Sequence, residues 1–391
     1  MSDDFFGSWT LISFRGFRAP KPNDYPSRKE DNFMNAFKKI SLGAAFILGI
    51  ALSSGSADAA GRRCEEMDVP VSVAGVPNAV VHGELCTPIG SPPNTIQVLV
   101  HSTFYNLKSW DPPQPDNSYV RPANARGYAT FNLDRFGTGQ STKPASSLVN
   151  IDAVEGSIHQ IIQGLRSGAI GGHAYSKVVW VGASFGSAYG WVNGTNHPGD
   201  ADAYVLTGIM HITKPSFVQI VLSITTTACD DPILRRLGLD CGYVTNRLGT
   251  KDQIYYYLPT ASPGMVPHGV DDAVMRDVVS INLLAESVNK LGGIADITHP
   301  VFTPMPVETD FARGITVPTL IVVGDKDAIF CGPPDGLECT EEGIRNWESP
   351  YYTVTPDIYV APDTGHEVAL HTTAPETYAR MLDWVDLHVG L

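Results

Sequence analysis

The sequence predicts an α/β fold, a mostly parallel central sheet with helices on both faces. Three observations predict it. Short apolar runs recur between turn residues, as buried strands do. Amphipathic helical patterns alternate with those runs, which is the signature of crossover connections. The alternation breaks once, for the 110 residues 209–318.

The expected strands are 79–85, 95–101, 128–134, 177–183, 203–208, 319–324 and 358–361. Between the third and fourth, 151–165 repeats apolar residues at Val154, Ile158, Ile161, Ile162 and Leu165, so one face of a helix is buried. Pro375 opens a last helix, with Tyr378, Met381, Leu382 and Val385 on one side. The break is mixed in character, with apolar runs at 217–224, 232–237 and 255–258 and a helix expected over 271–291. It reads as an insertion covering one edge of the sheet.

The start of the chain has a different character. Lys38 and Lys39 precede an uncharged run, Ile40 to Leu52, and Ala57-Asp58-Ala59 follows. A basic region, a short apolar stretch and an A-x-A-like site together describe a secretory signal peptide over 34–60. Thirteen helical residues span about 20 Å, short of a bilayer crossing, so no stable membrane anchor is expected once the signal is removed. Residues 1–33 precede the natural start at Met34, either through an upstream start codon or as an extended leader. The expected organisation is then 61–208 and 319–391 as the core, 209–318 as the insertion, and a secreted product.

Six cysteines follow the signal segment and fall into three local pairs, Cys64 with Cys86, Cys229 with Cys241, and Cys331 with Cys339. An even number in an exported chain points to disulfides. None is spaced as C-x-x-C and no histidine clusters beside them, so no metal is implied. Net charge is −14, from 27 basic and 41 acidic residues. Phosphate contacts require clustered cations, so nucleic acid is excluded as a partner.

The sharpest local signal is Val178-Val179-Trp180-Val181-Gly182-Ala183-Ser184-Phe185-Gly186. It reads as a strand, then Gly-x-Ser-x-Gly, then a helix. A serine on a strand-to-helix turn needs small neighbours because its own backbone is strained. It also needs a base, since a hydroxyl is a poor nucleophile. Two later strands run into polar loops that supply one, the first ending in Gly324-Asp325-Lys326-Asp327 and the second in Asp363-Thr364-Gly365-His366. In open α/β sheets such carboxyl ends converge on one rim. Asp325 and Asp327 are rival acids, and Asp363 reads as a turn residue.

With these segments in the order Ser184, Asp327, His366, the chain resembles the α/β-hydrolase superfamily, in its serine-nucleophile branch. Asp134-Arg135-Phe136-Gly137-Thr138-Gly139-Gln140-Ser141 is similar to that family's turn after strand 4, and Val98-Leu99-Val100-His101 to its strand into the oxyanion loop. Ser102 stands where the family has glycine. The resemblance implies an insertion after strand 6 that stands over the serine as a lid, and it favours Asp327 over Asp325. It implies Ser184 as nucleophile, His366 as base and Asp327 as its orienting acid, with the N–H groups of Phe185 and Thr103 as the oxyanion hole. His101 reads as structural, and His211, His268 and His371 as surface or lid residues.

A serine nucleophile implies esters, lactones, thioesters or some amides as small-molecule substrates, with no cofactor. The apolar and aromatic insertion (Ile212, Phe217, Ile220, Met265, Met275) favours a moderately hydrophobic ester or lactone. An aminopeptidase of the proline-iminopeptidase kind would need a carboxylate for the substrate amine, from Asp230, Asp231, Asp252 or Glu286. A binding protein that lost catalysis would share the fold. Tyr255, Tyr256 and Tyr257 fit either the lid or the core, and Asn193-Gly194-Thr195 matches a glycosylation sequon.

Overall fold

The computed structural model describes residues 56–57, 61–250, 255–266, 269–291, 306–333 and 336–391. Apart from Ser56–Ala57, the extension 1–33 and the signal segment 34–60 lie outside the described residues, as do Asp252 and His268.

Eight strands form the main sheet: β1 (Arg62–Pro70), β2 (Val80–Pro88), β3 (Thr95–Val100), β4 (Ala129–Leu133), β5 (Lys177–Ala183), β6 (Ala203–Thr207), β7 (Thr319–Gly324) and β8 (Asp357–Ala361). Their spatial order is β1-β2-β4-β3-β5-β6-β7-β8, and Ser56–Ala57 pairs on the outer side of β1. β2 is antiparallel to both its neighbours, and every pairing from β4 to β8 is parallel. The helices are α1 (Val120–Ala125), α2 (Ile151–Ser167), α3 (Phe185–Asn196), α4 (Pro215–Ile224), α5 (Ile281–Lys290), α6 (Glu341–Glu348) and α7 (Ala374–His388).

Alternation along the strands builds two cores. Ile96, Val98 and Val100 of β3 join Val178 and Trp180 of β5 on one face. Leu99, Val179 and Val181 join α7 residues Tyr378, Met381 and Leu382 on the other. Helix α2 begins where the Asn150 side chain accepts the Ala153 N–H at 2.8 Å and ends at Gly168, whose φ is 78°. The disulfides Cys64–Cys86, Cys229–Cys241 and Cys331–Cys339 are all formed. The first joins directly opposed residues of β1 and β2.

Within 209–318, α4 leads into a small antiparallel sheet of Thr225–Thr227, Tyr243–Asn246 and Val279–Ser280. The helix expected over 271–291 is broken here. One wide turn, Asp271–Met275, is followed by extended backbone to Ser280, and only then by α5. Tertiary bonds override the helical period. Arg276 donates to Asn246 O at 2.7 Å and pairs with buried Asp231, while Asp277 accepts the Gly139 N–H at 3.0 Å. Ser280 then caps α5 by accepting from Asn282 N and Leu283 N. The insertion meets the carboxyl-end loops of the main sheet: Asp277 N donates to Phe104 O at 2.8 Å, and Glu367 N to Tyr255 O at 2.8 Å.

Candidate active site

Ser184 occupies the turn between β5 and α3 with φ 51° and ψ −124°. That left-handed backbone is costly for a side-chain-bearing residue and persists only where the surroundings enforce it. They do so through contacts too close for a side chain. A Cβ at Gly182 would lie 2.5 Å from Ser187 Cα, and one at Gly186 would lie 2.2 Å from Val100 O. Both glycines of the motif are therefore sterically required. Ser184 N donates to Thr207 O of β6 at 2.8 Å, and its carbonyl accepts from Ser187 N and Ala188 N as α3 begins.

Two strands away, the loops after β7 and β8 bring Asp327 and His366 together. His366 Nδ1 lies 2.8 Å from Asp327 Oδ2, with both side chains fully buried. The other carboxylate oxygen of Asp327 accepts the Ile329 N–H at 2.9 Å, which fixes its plane. Asp325, the rival acid, faces Lys326 and the Thr364 N–H instead. Asp363 takes a left-handed turn conformation, φ 49°. A hydrogen bond to the carboxylate assigns the proton of neutral His366 to Nδ1, so its lone pair is at Nε2, which is buried and makes no hydrogen bond among the described residues. Burial by itself would depress the imidazolium, but the Asp327 carboxylate, by charge and by hydrogen bond, holds the His366 pKa above the ordinary histidine value.

Ser184 and His366 line one cavity. Thr103 and Phe185 line it too. Phe185 is the first residue of α3, where an N–H has no intrahelical partner, and Thr103 follows β3. Phe104, which the sequence did not single out, also lines the cavity, with φ 63°. Nothing in a phenylalanine marks a left-handed backbone in advance. Apart from Thr213, the rest of the wall is apolar or aromatic and comes largely from 209–318, through Ile209, Phe217, Val221, Tyr255, Leu284 and Val288, with Ile329 and Phe330 added by the loop after β7.

The remaining motif residues hold the rim in shape. The Asp134 carboxylate accepts Leu107 N at 2.8 Å and Gln140 N at 2.7 Å, and a Cβ at Gly139 would fall 1.9 Å from its carboxyl carbon. His101 is buried, contacts Ser102 O through Nδ1 and accepts the Arg135 N–H at Nε2. Burial and nearby Arg135 push its pKa well down, so it is a neutral tie between the loops after β3 and β4.

Several residues stand elsewhere than expected. His211 does lie in the insertion but is buried, and His371 is buried outside it. Asn193 of the sequon is fully buried, donates to Glu155 and Asp200 and accepts from Tyr204, so an oligosaccharide has no access to it in the folded chain. Tyr255 faces the cavity, and Tyr256 is buried in the core. Met265 and Met275 are likewise core residues. Among the described residues, Cys64, Glu84 and Cys86 gather three ligand-type atoms, but both sulfurs are tied in a disulfide and offer no thiolate.

No curated protein matches the sequence. Solved structures share the fold at low identity. An esterase from Thermogutta terrifontis aligns with a TM-score of 0.50 at 14% identity, over 83% of this chain and 100% of its own. A soluble variant of monoglyceride lipase from Saccharomyces cerevisiae gives 0.52 at 14%, over 82% and 96%. The Paleococcus ferrophilus monoacylglycerol lipase gives 0.50 at 16%, over 79% and 99%. The model of the alpha/beta hydrolase family matches residues 97–381. That span runs from β3 through most of α7 and holds Ser184, Asp327 and His366, and the chain belongs to the alpha/beta hydrolase family.

Proposed function

We propose that this chain is an exported serine hydrolase that cleaves a carboxylic ester or lactone of moderately hydrophobic character through an acyl-enzyme. The observation that carries this reading is the opening of a strained Ser184 and a carboxylate-paired His366 onto a single apolar cavity. Ser184 Oγ attacks the carbonyl carbon while His366 Nε2 takes its proton. The N–H groups of Phe185 and Thr103 hold the oxyanion. Collapse expels the alcohol, which takes the proton back from His366. A water then repeats the cycle on the acyl group and frees Ser184. Asp327 keeps the imidazole in the Nδ1–H tautomer and stabilises the imidazolium. The insertion acts as the lid, since Phe217, Val221, Leu284 and Val288 wall the cavity. Three disulfides fit the oxidising environment that the signal segment implies.

An aminopeptidase would need a carboxylate facing the cavity, and the three candidates among the described residues are engaged elsewhere. Asp231 pairs with Arg276, Glu286 accepts Ile151 N and Lys290, and Asp230 accepts from Thr227. The test is labelling by a fluorophosphonate, followed by a panel of p-nitrophenyl esters, lactones and prolyl amides. Labelling at Ser184 with turnover of esters or lactones supports the reading. Preferential turnover of prolyl amides would transfer it to the aminopeptidase, and a chain that neither labels nor turns over any of these is a binding protein.

A further inference from the structure

His371 lies five residues beyond His366 and is fully buried. Each of its ring nitrogens is engaged with main chain. Nε2 accepts two N–H groups at 2.9 Å, from Gly365 and from Tyr257. Nδ1 donates to Glu367 O at 2.8 Å. Two of these three partners flank His366 directly, one on each side. The third belongs to the insertion. An imidazole here does what a backbone carbonyl and a backbone N–H would do in a ladder, and it does so from one rigid ring.

Main-chain bonds along the same seam extend the arrangement. Glu367 N donates to Tyr255 O, Ser262 N to Leu370 O, and Thr372 N to Thr260 O. The stretch 255–262 therefore runs as a strap along the loop that carries His366. The fit is tight at Gly365, where a Cβ would lie 2.9 Å from Tyr256 Cα and 3.0 Å from His371 Nε2. His371 is itself held by its own carbonyl, which accepts the Asn117 side-chain amide at 3.1 Å.

We propose that His371 is a positioning residue: its neutral ring fixes the segment Gly365–Glu367 that presents His366 and ties that segment to the insertion through Tyr257. The proposal rests on the assignment of Ser184 and His366 as nucleophile and base. Without His371 the buried Gly365 N–H and the half-buried Tyr257 N–H lose their acceptor, and the His366 ring is free to drift from Asp327. A displacement near 1 Å at a reacting group costs about a hundredfold in rate.

The experiment compares His371→Leu, which removes the acceptor, with His371→Gln, which retains an oxygen able to accept and an N–H able to donate. Both are read on an ester turnover that Ser184→Ala abolishes. His371→Leu is expected to lower kcat by about ten- to a hundredfold while KM changes far less. The acid limb of its pH profile should move down, because the pairing with Asp327 that raises His366 is loosened. His371→Gln should restore most of kcat and the limb. A folded His371→Leu with the parental kcat and limb, or a loss confined to KM, overturns the proposal and leaves the triad standing. Turnover that survives Ser184→Ala brings down both. Should His371→Leu fail to fold, imidazole nitrogen NMR of the parent decides. The Nδ1–H tautomer with an unprotonated Nε2 is required, and an Nε2–H signal from His371 overturns the proposal.

Discussion

Among the described residues, two buried histidines pair with buried carboxylates, His366 and His211, and the contrast between them separates the base proposed above from a buttress. His366 has one carboxylate, Asp327, on Nδ1, and its Nε2 makes no hydrogen bond at the cavity that Ser184 also lines. His211 has two carboxylates, Glu348 at 2.6 Å on Nδ1 and Asp310 at 3.1 Å on Nε2. Its ring is stacked between Trp191 and Tyr351, with centroids 4.0 and 4.1 Å away. One imidazole keeps a nitrogen able to gain and lose a proton. The other has both nitrogens committed and two ring faces covered, and it binds the start of the insertion (His211) to its end (Asp310) and to α6 (Glu348). Equal burial thus leaves one ring with a free nitrogen, as the proposed base requires, and the other with none.

The largest effects should fall on the His366 side of this comparison. Ser184→Ala should lower turnover by about 10⁴-fold or more without loss of melting temperature, as steady-state kinetics beside calorimetry would show; parental turnover would remove Ser184 from the chemistry. Asp327→Asn should lower it by about 10⁴-fold, because an amide no longer selects the Nδ1–H tautomer, while Asp325→Asn should stay near the parent. A reversed order of these two variants would hand the acid's role to Asp325. The pH profile sharpens the point. The proposed base must be neutral, and the His366 pKa is raised, so activity should fall with acid through a midpoint above the ordinary value of about 6.5. A midpoint well below that value would contradict the pairing with Asp327.

How much of this was legible in the sequence depended on how local each cause was. The parallel strands β3 to β7 could be read because nearly every residue in them is buried, as a sheet covered on both faces demands. Strand β1 escaped notice. It is an alternating, half-exposed strand carrying Arg62, Arg63, Glu65 and Glu66, and its charge masks its pairing with β2. The strained turn at Ser184 was legible because it forces glycine on both sides within five residues. Between Asp325 and Asp327 the residues themselves did not choose and only the resemblance did, since both lie on one loop and the direction of each side chain separates them. The helix expected over 271–291 failed because its period is correct while Arg276 and Asp277 answer to distant partners. His211 and His371 were opaque for the same reason. The partners of His211 lie 99 and 137 residues away, and Tyr257 stands 114 residues from His371.

On the buttress side the effects should be smaller and should fall on stability. Glu348→Gln leaves His211 with one carboxylate. Breaking a buried pair costs about 3–5 kcal/mol, so the melting temperature should drop while kcat on esters stays at the parental value. Loss of kcat without loss of stability would place His211 in the chemistry instead. The pH dependence follows from the same contacts. Burial would lower the His211 pKa, yet Glu348 and Asp310 together raise it to about 9. A group raised in the folded state gives stability that is complete below its unfolded value of about 6.5 and is lost as pH climbs through about 9. Tyr351 and Tyr352, also raised by burial, stay neutral across that window and do not mask the trend. The parent should therefore melt at progressively lower temperature from pH 7 to pH 10. Glu348→Gln, with the carboxylate that raises His211 most removed, should decline less steeply. Parallel slopes for the two proteins would show that His211 is uncharged in the folded chain and that the stacked rings alone hold it in place.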